Sequence, residues 1–223
     1  MRKRNLTLAA VAATVLLAPH AMAAPSPQVT DPANDANGLN GQGSVSGTPS
    51  VGTPGASQGY ADVLSVLWQT YKVKGKFAGF TVTTTFSAPP TPPAGTTLVY
   101  RMLGQVNGDS SLFLGPVYYS TKSSDPKQPQ SALRNNIGGA TELTPLALPK
   151  IAGNTMTWTV PANVIPKTVK VGSSLSNLYF EVREIEDFHG AAVPAGVPLY
   201  GGATGLALGS LDNGTSTSSF RIG

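Results

Sequence analysis

From Tyr60 onward, apolar and polar residues alternate along much of the chain. In Phe80, Val82, Thr84 and Phe86, and again in Leu98, Tyr100, Met102 and Val106, every second residue is able to face a core, and Leu178, Phe180 and Val182 repeat the pattern. The segments YADVLSVLWQTYKV, KFAGFTVTTTF, TTLVYRMLGQV, SLFLGPVYYS, NTMTWTV and SNLYFEVREI carry the Val, Leu, Thr and aromatic residues that suit strands. Turn material divides them: APPTPPAG after Phe86, NGDS after Val106, SSDPKQPQ after Lys122 and AGN before Thr155. No stretch of about 12 residues holds an apolar stripe at helical spacing without a Pro or Gly in it. The pattern predicts an all-β fold, an antiparallel β-sandwich of jelly-roll or immunoglobulin-like type with little helix outside a leader. Proline-rich connections leave little room for the crossover helices of a parallel sheet.

The first residues read differently. Arg2, Lys3 and Arg4 precede an apolar run from Leu6 to Pro19, and Ala21, Met22 and Ala23 form an A-x-A cleavage site, so residues 1–23 are expected to be a signal peptide. Residues 24–59 hold an acidic turn followed by a Gly/Ser/Pro-rich loop, and residues 60–223 form the sandwich domain. A secreted or extracellular protein follows, or a periplasmic one where the host has an outer membrane. No later apolar run reaches the roughly 20 residues that span a bilayer, so no membrane span is expected.

Charge changes its meaning once the leader is set aside. The chain has 15 Lys and Arg against 11 Asp and Glu, a net +4, and three of those cations lie in the leader, which leaves 12 against 11 and a net +1. A nearly neutral domain without a basic cluster argues against nucleic acid as a partner. Lys72, Lys74 and Lys76 make the densest basic run, read as a solvent-facing strand edge where lysines discourage edge-to-edge pairing. The chain has no cysteine, so neither a disulfide nor a thioether lipid anchor is available, and stability must come from the core, hydrogen bonds or a bound ion.

The stretch TDPANDANG, from Thr30 to Gly38, carries the oxygen-rich chemistry such an ion needs. Asp31, Asp35 and Asn37 offer oxygen ligands within seven residues, Gly38 lets the chain turn, and Asp62 stands at the start of a strand otherwise committed to the core. These four residues are the candidate calcium ligands. The spacing is not that of an EF-hand: aligning Asp35, Asn37 and Gly38 with that loop puts Ala33 at position 1 and Ser44 at position 12. The competing reading makes Asp31 and Asp35 ordinary turn formers bonded to nearby amides.

Catalytic chemistry finds little to use. His189 is the one histidine outside the leader, no G-x-S-x-G elbow or cysteine supplies a nucleophile, and a His-rich zinc site is not possible. In EVREIEDFHG, Glu184 and Glu186 share one strand face and Glu181, Arg183 and Asp187 the other, with same-face neighbours about 6.6 Å apart. Glycosidase carboxylates stand about 5–10 Å apart, but they come from separate elements of a cleft. Here they sit on one strand running into a turn, with Arg183 placed to neutralise one of them, and the run reads as a solvated strand end. A non-catalytic protein is expected. For a sugar-binding surface the candidates are Trp68, Tyr118 and Tyr119. Trp158 shares a face with Met156 and Val160 and reads as core. Tyr118 and Tyr119 are adjacent and must point to opposite faces.

The order DPxxDxxG, a Gly/Ser loop, ADVLSV, a hairpin, and then MTWTVPANVI and VGSSL resembles secreted bacterial β-sandwich domains of the DOMON-like and family 9 carbohydrate-binding groups. The commoner form of the first motif is DPxGD, and this chain has Asn34 at the glycine. The resemblance covers most of the chain after the leader. It implies a non-catalytic module with a structural calcium ion near its N-terminal segment, binding polysaccharide or another secreted or cell-surface protein. The alternative is an extracellular structural or protein-interaction domain with neither metal nor small ligand.

Overall fold

The computed structural model describes residues 25–33, 59–92, 97–122, 129–187 and 205–223, of which residues 184–187, 205–211 and 213 are described by their backbone alone. The leader, Asp35, Asn37, nearly all of the loop after Gly38, and His189 lie outside the described residues. So do the side chains of Glu184, Glu186 and Asp187.

Two antiparallel sheets pack face to face, as the alternation predicts. The first runs in the order β1 (Val29–Thr30), β2 (Val63–Val73), β3 (Lys76–Phe86), β9 (Thr155–Pro161), β8 (Lys150–Ala152). The second runs β11 (Gly205–Ser216), β10 (Ser174–Asp187), β4 (Thr97–Val106), β5 (Phe113–Tyr119), β6 (Ser131–Asn135), β7 (Glu142–Pro145), with β12 (Phe220–Arg221) also paired to β10. Among the described residues the helical content is a single 3-10 turn at Ala162–Val164, and no helix is long and apolar enough to cross a membrane.

One apolar core fills the space between the sheets. Trp68, Phe80, Val82, Met156 and Trp158 from the first sheet meet Tyr100, Met102, Leu114, Leu133, Phe180 and Val182 from the second. Phe86 and Tyr100 bridge the two layers edge to face, with ring centroids 5.6 Å apart. Phe220 of β12 closes one end against Trp68 and Phe80.

Lys72, Lys74 and Lys76 are exposed, as a solvent-facing position requires, and they cluster at a turn. Val73 pairs with Lys76, and Lys74 and Gly75 both take positive φ (49° and 76°), so the lysines surround a two-residue hairpin turn between β2 and β3. Gly79 is required for a different reason. Its φ is 144°, and a Cβ there would stand 2.1 Å from the Val160 carbonyl, inside the β3–β9 ladder.

The N-terminal segment is an edge strand within a region expected to be turn and loop. The Gln28 amide donates to the Val66 carbonyl at 3.1 Å, and its side chain spans Trp68, accepting from the amide at 2.7 Å and donating to the carbonyl at 3.1 Å. The Asp31 amide then donates to the Leu64 carbonyl at 3.0 Å. Backbone pairing, extended by one glutamine, therefore docks this segment on β2.

Candidate functional site

The docked segment brings Asp31 to the end of β2 where two other aspartates are found. Asp62, immediately before β2, is wholly buried (0 % exposed), and Asp212 of β11 is 4 % exposed. The Val63 amide donates to Asp212 Oδ2 at 2.7 Å, so β11 ties its carboxylate to the residue next to Asp62. Gly214 of β11 lies against Asp31: a Cβ on Gly214 would come within 3.0 Å of Asp31 Oδ1 and 2.5 Å of the Phe180 ring. The missing side chain at 214 is thus what leaves room for the Asp31 carboxylate.

The Asp31 amide thus pairs with Leu64, two residues along from Asp62, at the edge of the sandwich where β1 meets β11. Asp212 joins them there. It stands in LDNG, which reads as turn material, yet it falls inside a strand; only its pairing with Val182 reveals its place. Among the described residues no three Asp, Glu, His or Cys side chains form a metal-holding group by themselves. Asp35 and Asn37 lie outside the described residues.

The aromatic candidates do not form a platform. Trp68 is 2 % exposed, packed on Phe80 and Phe220, and presents no ring face to a ligand. Trp158 is core, as its strand face predicts. Tyr118 and Tyr119 do point to opposite faces: Tyr118 is half-buried and stacks on Tyr100 with centroids 6.0 Å apart, while Tyr119 is buried in a second small cluster with Val99, Val117 and Ala132. With Tyr118 stacked on Tyr100 and Tyr119 buried, neither tyrosine offers the open ring expected of it. Tyr100 donates to the Tyr60 carbonyl at 3.3 Å; burial first, then the nearby phenols of Tyr118 and Tyr60, hold its hydroxyl well above the usual phenol range.

Glu181 is held between two cations. Arg101 Nη2 approaches Glu181 Oε2 at 2.5 Å, and Arg183 Nε donates to Glu181 Oε1 from two residues along the same face of β10. Arg183 neutralises its neighbour as the strand alternation suggests, but Glu181 is not part of a solvated strand end: at 9 % exposure it is buried, because the guanidinium of Arg101 on the adjacent β4 draws it onto the sheet face. Arg101 itself was not singled out by the sequence, although a charge inside VYRMLG, an otherwise apolar strand, was the available signal.

The fold is that of an all-β sandwich. No family model, curated protein or solved structure matches the chain.

Proposed function

We propose that this chain is a secreted, non-catalytic β-sandwich module that binds carbohydrate or another extracellular ligand and is stabilised at its N-terminal edge by calcium. The observation that carries the reading is the placement of Asp31, set by backbone pairing at the end of β2 that also holds the buried Asp62 and Asp212. Carboxylates withdrawn from water need compensation by hydrogen bonds or opposite charge. Asp31, Asp62 and Asp212 each have interaction partners within the fold, and a hard divalent cation, which takes six to eight oxygen ligands, would share the same carboxylate oxygens. Asp31, Asp62 and Asp212 do not complete such a shell, so under this reading Asp35 and Asn37, on the segment that β1 anchors, contribute the further oxygens.

An ion that binds only the folded chain stabilises it by mass action, which suits an extracellular domain without disulfides. The resemblance to DOMON-like and carbohydrate-binding domains supports the same reading. The alternative, an interaction domain without metal or small ligand, calls for a contiguous apolar patch. The exposed large apolar residues among those described are Val73 beside a hairpin turn, Leu148 before β8, Ile151 in β8, and Val171 in a turn, which gives that alternative less support.

The test is thermal unfolding in excess EGTA and in millimolar calcium. The midpoint should rise by several degrees with calcium in the native chain, and Asp62→Asn should remove the dependence. An unchanged native midpoint would leave TDPANDANG as turn chemistry.

A further inference from the structure

The outer face of the second sheet carries a pocket of about 170 Å3, lined chiefly by Arg101, Phe113, Arg134, Asn136, Thr141 and Tyr179. The ladder builds it. Gly115 of β5 stands opposite Arg134 of β6 and against Leu103 Cα, and it projects no side chain between the strands. Asn136 fixes the rim: its Oδ1 accepts from the Phe113 amide and its Nδ2 donates to the Ser111 carbonyl, each at 2.5 Å.

The pocket's charge is unbalanced. Glu181 serves both Arg101 and Arg183, while Arg134 makes no ion pair among the described residues. Among the described residues, the pocket is therefore lined by two guanidinium groups, Arg101 paired with Glu181 and Arg134 in no ion pair, with Arg183 close enough to act on Arg101. Burial first, and then the charges of Arg183 and Arg134, press the Arg101 guanidinium below its ordinary value against the pull of Glu181. Such a place favours an incoming anion, and the planar donor fork of arginine matches a carboxylate in two parallel hydrogen bonds.

The remaining walls suit a ring. Phe113 and Tyr179 meet edge to face, centroids 6.3 Å apart at 88°. Thr141 and Asn136 add polar groups nearby. An apolar cavity of about 150 Å3 accepts benzene, so this volume admits one six-membered ring with its substituents directed outward.

We propose that this pocket binds a carboxylate carried on a small ring, a single uronic acid residue of an acidic saccharide, with Arg134 receiving the carboxylate and the joined Phe113–Tyr179 pair forming one wall beside the ring. This inference deepens the ligand-binding reading above and rests on it. Inorganic sulfate and phosphate share the oxyanion chemistry but lack the ring, so they separate charge from shape.

The experiment is calorimetric titration of the full chain with a galacturonate trisaccharide, an uncharged glucose trisaccharide and inorganic sulfate, with amide shifts in 1H-15N spectra to locate the site. The acidic trisaccharide should bind at least tenfold more tightly than either other probe, shift the amides around Arg134, Phe113 and Tyr179, and weaken as salt rises. Arg134→Gln should lose at least tenfold in affinity with an unchanged thermal midpoint, and Arg134→Lys should recover part of it. Equal binding of the uncharged trisaccharide would overturn this inference while leaving the carbohydrate reading intact. Equal binding of sulfate would overturn the ring requirement, and full affinity in Arg134→Gln would place the site elsewhere. Silence from all three probes would overturn the inference and the saccharide reading together, and the calcium dependence of unfolding is decided separately.

Discussion

On the outer face of the first sheet, Thr81, Thr83 and Thr85 of β3 stand opposite Thr159, Thr157 and Thr155 of β9, and the hydroxyls of Thr83 and Thr157 meet at 3.1 Å. On the outer face of the second sheet, the corresponding positions hold Val99, Val117 and Ala132 in a small apolar cluster, beside Arg101 at 7 % and Glu181 at 9 % exposure. Threonine is stiff at χ1, fits a pleated strand and leaves a hydroxyl for water, so the first face needs no partner. A buried guanidinium needs one at a defined distance. The contrast teaches that a polar outer face is generic, while a charge hidden on an outer face specifies a site.

The largest expected effect tests whether the sheets are alike inside. Trp158→Ala in the first and Phe180→Ala in the second should each lose about 4 kcal/mol of unfolding free energy in urea. A loss under about 1 kcal/mol for either would break the symmetry of the core. Next, Glu181→Gln should lose about 3 kcal/mol, because it leaves Arg101 buried beside two like charges. The double variant Arg101→Met, Glu181→Met should regain much of that, whereas a silent Glu181→Gln would place this face with the threonine one.

A smaller effect concerns the inner face of β4. The Tyr100 hydroxyl titrates well above its ordinary value in the folded chain, through burial first and neighbouring phenols second. An unfolded tyrosine ionises near about pH 10, so this contribution is fully present below that pH and is lost as pH rises through the folded value. Urea midpoints should therefore fall above about pH 10, and Tyr100→Phe should flatten the fall. The smallest effect belongs to Thr157→Ala, within about 0.5 kcal/mol of the native chain. A larger loss would give the threonine ladder a structural role it is not assigned.

The strands with clean alternation were legible because one face is apolar and one is not. Phe80, Val82, Thr84 and Phe86 are all buried, as are Leu178, Phe180 and Val182. Strand β4 shows where the signal weakens: Val99, Arg101 and Leu103 are buried on its other face, so its period-two pattern covers a strand enclosed on both sides. The short strands β6, β7 and β8 offer too few residues for periodicity, and glycine-rich GLALGSLDNGTS reads as loop although it pairs along β10. Asp31 and Asp62 stood out as carboxylates in a charge-poor chain. Asp212 and Arg134 did not, because their significance lies in which distant segment pairs beside them.

The calcium ion we propose at the edge where β1, β2 and β11 meet is counted directly by equilibrium dialysis with radioactive calcium. One ion should bind per native chain and none to Asp62→Asn. A native chain that retains no calcium at millimolar concentration would contradict that proposal.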